Sequence, residues 1–122
     1  MKRLIETIKL STSERLSIQA VMTRTGVKNY NVMARWAFVC SLKAKNQYEE
    51  IHKDDLGIEI SWQVFAGEHD KQYQDLIVYD LLERDMAVTA ENAANLMKFH
   101  LAKGIRILVS NIKSENDFLN EI

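Results

Sequence analysis

Nine basic side chains fall in residues 1–45, namely Lys2, Arg3, Lys9, Arg15, Arg24, Lys28, Arg35, Lys43 and Lys45, against two acids, Glu6 and Glu14. That half carries +7. Residues 46–122 hold seven basic and fifteen acidic groups, or −8, so the overall charge of −1 conceals a segregation. Lysine and arginine concentrated in this way can neutralise a polyanion, and the asymmetry points to nucleic acid. The competing expectation is that the two halves neutralise each other across the fold or an oligomer interface. Polar donors are densest in Thr23–Leu42, TRTGVKNYNVMARWAFVCSL. There a turn at Gly26 leads through Lys28, Asn29 and Asn31 into an apolar helix carrying Trp36 and Phe38. The side chains expected to meet phosphate are Lys2, Arg3, Lys9, Arg15, Arg24, Lys28, Lys43 and Lys45. Arg35, on the apolar helix, is expected to pair internally with an acid instead.

Other residues capable of chemistry read as structural. His52 stands beside Glu49, Glu50, Asp54 and Asp55, but neither the spacing of a calcium loop nor a pair of histidines accompanies it, so the stretch reads as a solvated acidic connector. The single cysteine, Cys40, reads as a small core residue in a reducing compartment. His100, beside an apolar stripe, reads as a hydrogen-bonded packing histidine. The chain contains no glycine-rich phosphate loop, CxxC pair, HExxH or GxSxG motif. We therefore expect no catalytic residue, metal site or cofactor, and a binding protein rather than an enzyme.

The elements that must position the basic residues follow from the patterning. With no proline and only four glycines in 122 residues, helices dominate. Leu4 to Leu10 alternates as a strand, with Leu4, Glu6, Ile8 and Leu10 on one face. Ser11-Thr12-Ser13-Glu14 is a capping box that starts a helix over Thr12–Arg24, and Leu16, Ala20 and Val21 are expected on its inner face. Gly26 ends that helix. Asn29 or Asn31 caps the next, which runs to about Ala44. On it Val32, Met33, Trp36, Ala37, Val39, Cys40 and Lys43 cover most of the circumference, so it is central to the monomer or shared with another subunit. Alternation over Ile58–Phe65 predicts a second strand closed by Gly67. A helix over Glu68–Asp85 should bury Tyr73, Leu76, Ile77 and Leu81. A last helix, capped by Thr89, should bury Ala93, Leu96, Met97, Leu101, Ile105, Leu108 and Val109, with Gly104 permitting close helix approach. From Ser114 the tail reads as frayed or weakly helical. The expectation is one compact domain over residues 1–122, mainly α, with four helices and one or two short strands. Its N-terminal strand-helix-helix order is reminiscent of ribbon-helix-helix proteins, in which Lys9 with Thr7 would project from the ribbon. No apolar run is long enough to span a bilayer, and the N-terminus, interrupted by Glu6 and Lys9, reads as mature cytoplasmic sequence.

The order of several segments adds a resemblance. Thr25, Gly26, Lys28, Asn29, Tyr30, Asn31 and the Arg35-Trp36-Ala37-Phe38 helix resemble the DndE family of DNA sulfur modification proteins. So do the start Ile8–Ser11, the segment ISWQVFAGE (Ile60–Glu68) and HLAKGI (His100–Ile105). The resemblance implies a role in DNA phosphorothioation, in which sulfur replaces a non-bridging oxygen of the DNA backbone. It further implies a small accessory component that forms a homotetramer and binds duplex DNA, nicked duplexes in particular, alongside the other sulfur-modification proteins. Two other readings compete: a protein-interaction scaffold of the modification complex with little DNA affinity, and a DNA-nicking enzyme.

Overall fold

The computed structural model describes residues 3–112; Lys2 and the tail from Ser114 lie outside them. The chain runs through strand β1 (Thr7–Leu10), helix α1 (Thr12–Thr25), helix α2 (Tyr30–Ala44), strand β2 (Ile58–Ser61), short helix α3 (Trp62–Ala66), a 3-10 turn (Gly67–His69), helix α4 (Asp70–Glu83) and helix α5 (Ala90–Asn111). The architecture is mainly helical, with a small sheet at the N-terminal end. β1 and β2 pair antiparallel within the chain, Thr7 opposite Ser61 and Leu10 opposite Ile58, so the ribbon is intramolecular.

Three helix boundaries have a clear local cause. Ser11 accepts the Glu14 N–H through its hydroxyl at 3.1 Å while the Glu14 carboxylate accepts the Ser11 N–H at 2.8 Å, the expected reciprocal cap of α1. Gly26, at φ +78°, closes the same helix in the left-handed conformation that glycine adopts without a Cβ penalty. Thr89 caps α5 by accepting the Asn92 N–H at 3.1 Å.

α5 is the centre of the molecule, packing most extensively on α2 and also on α1, α4 and β1. Gly104 makes that possible. A Cβ at this position would sit 1.8 Å from the Ala37 carbonyl oxygen, so the two helix backbones touch where any side chain would force them apart. Beside this crossing lies an aromatic cluster: Phe38 meets Phe65 edge-on at 5.9 Å and His100 edge-on at 5.4 Å, and Phe65 meets Tyr73 at 5.2 Å.

Four details differ from the sequence reading. β2 ends at Ser61, not Phe65, because the Ser61 hydroxyl accepts the Val64 N–H and starts α3; Trp62 and Phe65, three apart, then share the buried face. The inner face of α1 is Glu14, Ile18, Val21 and Thr25, because the cap folds Glu14 inward, and this turns Leu16 out to 57% exposure. On α4, Gln74 takes an inward position by accepting the Leu4 N–H at 3.1 Å, which leaves Leu76 43% exposed. In the arm before β1, Ile5 is buried and Glu6 exposed, so the inward alternation begins only at Ile8.

Candidate nucleic-acid interface

The outward face of the sheet carries two cross-strand pairs, Thr7 with Ser61 and Lys9 with Glu59, all exposed. Such directly opposed residues hold their Cβ atoms about 5 Å apart. Beyond β2, a groove of about 300 Å³ separates the strand from Lys28, Asn29, Tyr30 and Asn31 at the start of α2. Asn29 holds the cap position of α2 at φ −115° without a side-chain cap bond, so the first-turn N–H groups of this helix have no capping acceptor from it. An uncapped helix N-terminus combines donors with the positive end of the helix dipole and suits an anion. Lys28 adds a full charge at the same spot, and Glu59 is the acid that lines the groove.

The remaining expected residues are dispersed. Lys43 and Lys45 are exposed at the far end of α2, about 22 Å from Lys28 at the helical rise of 1.5 Å per residue. Lys45, in the left-handed conformation at φ 54°, borders a separate groove with Tyr79, Glu83 and Arg84. Arg3 is exposed on the arm before β1. Arg15 is half-buried on α1, its Nε without a hydrogen-bond partner. Arg24 donates through Nη1 to the Ile112 carbonyl at 3.3 Å, tying α1 to the end of α5. Arg35 donates through Nε to the Asn31 carbonyl at 3.3 Å, one turn back, and not to an acid. The structure therefore brings Lys9 and Lys28 to either side of one ribbon and leaves Lys43 and Lys45 as a second basic end.

Ion pairing follows the charge segregation. Among the described residues, the cations in ion pairs are His52, Lys53, Lys71, Arg84, Lys98, His100 and Lys103, all from the second half. Their partners are second-half acids, apart from Glu14 with Lys53. Lys9, Lys28, Lys43 and Lys45 enter none of these pairs. The ion pairs of the second half are thus made mostly within it, and Lys9, Lys28, Lys43 and Lys45 stay exposed outside them.

A buried polar cluster resembles a nucleophilic triad in composition only. His100 Nδ1 lies 2.7 Å from Ser41 Oγ and His100 Nε2 lies 2.6 Å from Asp80 Oδ2, which also accepts Arg84 Nε at 3.1 Å. Burial alone would raise the Asp80 carboxyl, but the hydrogen bonds and charges of His100 and Arg84 outweigh it and hold the group below the usual carboxylate range. Ser41 and His100 are each 1% exposed, so no substrate reaches the hydroxyl, and the cluster joins α2, α4 and α5. His100 is the hydrogen-bonded packing histidine expected from its place beside the stripe. Its partners lie 59 and 20 residues away, beyond any local pattern.

No group of three or more His, Cys, Asp or Glu that could hold a metal occurs among the described residues, and no helix among them is long and apolar enough to cross a membrane. Fold and site thus define a small, mainly helical protein with an internal two-stranded ribbon and unpaired cations on its N-terminal half. The family model for DNA sulphur modification protein DndE matches residues 7–116, and the chain belongs to that family. No curated protein matches the chain. Family membership gives it an accessory part in DNA sulfur modification, as the resemblance implied.

Proposed function

We propose that the chain is a non-catalytic accessory protein of DNA phosphorothioation that binds duplex DNA, nicked duplexes in particular, through the lysines and arginines of its N-terminal half. The observation that carries this reading is the pattern of ion pairing. Among the described residues, Lys9, Lys28, Lys43 and Lys45 stay exposed and outside the ion pairs, while Glu49, Asp55, Asp75 and Asp80 engage second-half cations. Lys9 and Lys28 flank the ribbon, and the uncapped start of α2 supplies backbone donors for a phosphate. Such contacts position a protein on the DNA backbone without reading sequence, which suits a reaction whose target is the backbone. The protein works in the cytoplasm as a homotetramer with the other sulfur-modification proteins. An outer apolar groove of about 340 Å³ between α2 and α4, containing Val32, Trp36, Val39 and Tyr73, supports self-association.

A scaffold with little DNA affinity is the second reading, favoured by Leu76, Tyr79 and Leu82, which are 43%, 64% and 60% exposed on α4. Fluorescence anisotropy with intact and singly nicked duplexes of one sequence, titrated over a salt series, separates the two. Affinity should fall steeply with salt, the nicked duplex should bind more tightly, and Lys9→Ala with Lys28→Ala should lower the salt slope by about two. Absence of binding at low salt would favour the scaffold. Strand cleavage during the titration would overturn the non-catalytic assignment.

A further inference from the structure

The connector between α2 and β2, residues 46–57, lies across α1 and α5 with its acids placed on donors. Glu49 pairs with Lys103 at 2.5 Å and Asp55 with Lys98 at 3.1 Å, both on α5. Asp54 Oδ1 accepts the Thr12 N–H and the Thr12 hydroxyl, each at 3.0 Å, which seats a carboxylate on the N-terminus of α1. The hydrogen bond and charge of Lys103 hold the Glu49 carboxyl below its ordinary range. The Leu56 and Thr12 N–H groups do the same for Asp54.

Lysine side chains and a helix N-terminus, the donors these anions engage, are also groups that bind phosphate. Lys98, Lys103 and Arg106 fall within about 140° of one another around α5 and extend about 12 Å along it. Measured along the duplex axis, that length spans three to four phosphates of one DNA strand at about 3.4 Å of axial rise each. The row also continues the ribbon, because Asp55 lines one groove of about 270 Å³ together with Thr7, Lys9 and Lys98. Asp55 therefore sits where a strand bound along Lys9 would pass next.

We propose that residues 46–57 form an acidic strap that covers a second phosphate track, built from the N-terminus of α1 with Lys98, Lys103 and Arg106, and yields it to DNA. This rests on the reading of the chain as a DNA-binding protein. The strap has no helix or strand of its own, and Glu49, Glu50, Asp54 and Asp55 are all exposed. Its apolar attachments are Tyr48, whose ring meets Phe99 at 5.3 Å, and Ile51, half-buried against the core. The lysines of these pairs are half-buried but their acids are exposed, so salt still reaches and screens the pairs, whereas a DNA strand presents several charges at once. The strap thus sets a threshold: a polyanion long enough to engage Lys9 also displaces Asp55, and a single small anion does not.

The test compares full-length protein with Glu49→Gln/Asp55→Asn on the same duplex over 50 to 200 mM salt. Removing the two internal competitors should tighten binding at low salt. It should also steepen the salt slope by up to about two, so that the variant loses about tenfold more affinity than wild type across that range. Amide hydrogen exchange on wild type should show Leu56, whose N–H donates to Asp54 at 2.9 Å, exchanging faster when DNA is bound, while Thr12, handed from carboxylate to phosphate, stays protected. If wild type binds while the variant has the same affinity and slope, the strap is overturned and the DNA-binding reading stands. If neither binds, both fall. Should the variant fail to fold, Lys98→Gln/Lys103→Gln tests the track from the other side: a shallower slope supports it and an unchanged slope overturns it.

Discussion

At the scale of single residues, two contacts between helices stand out beside the apolar core: the backbone approach at Gly104 and the polar cluster around His100. Gly104→Ala would drive a methyl into the Ala37 carbonyl, and since backbone cannot rotate away, α2 and α5 must separate. The expected cost is at least about 1–3 kcal/mol, the usual range for overpacking, read by chemical denaturation. Asp80→Asn leaves His100 and Arg84 without their charged acceptor and should cost about 1–3 kcal/mol at neutral pH. The folded Asp80 carboxyl titrates below its unfolded value, so its contribution is full above the ordinary carboxylate range and is lost as pH falls through the folded value. The gap in stability between wild type and Asp80→Asn should therefore close on acidification; a gap that persists at low pH would assign the effect to packing. Of this cluster, His100 was legible because it adjoins an apolar stripe. Ser41 and Asp80 were not, because their partner arrives from another helix.

At the scale of elements, caps were the most legible features, since a capping box is complete within four residues. Ser11→Ala should lower stability by about 0.5–2 kcal/mol, with Ser11→Gly milder, measured by thermal melts. Helical faces were less legible for a specific reason. A glutamate that turns back to its own cap, and a glutamine that holds a distant backbone N–H, count as polar in any periodicity yet occupy inward positions. Leu16 and Leu76 were displaced outward by those two residues. Residues Ile58–Phe65 satisfy both a period of two and, from Trp62, the spacing of a short helix. The Ser61 hydroxyl decides between them.

At the scale of the whole molecule, charge segregation was visible from the sequence, but its partition between paired and unpaired cations required the fold. The basic residues expected to act together fall at two ends of α2, so a short duplex covering only one end should recover only part of the salt slope. Self-association through the α2 groove predicts that Trp36→Glu reduces the mass seen by analytical ultracentrifugation while leaving circular dichroism unchanged; an unchanged mass would place the interface elsewhere. The internal ribbon also has a consequence during synthesis. β1 leaves the ribosome well before its partner exists, because Leu10 pairs with Ile58. At roughly 5–20 residues per second, that leaves about 2 to 10 s in which β1 is made but its partner is not. For that interval Ile8 and Leu10 have no strand to join, and only the emergence of Ile58–Ser61 removes the nascent chain's opportunity to pair with a neighbour.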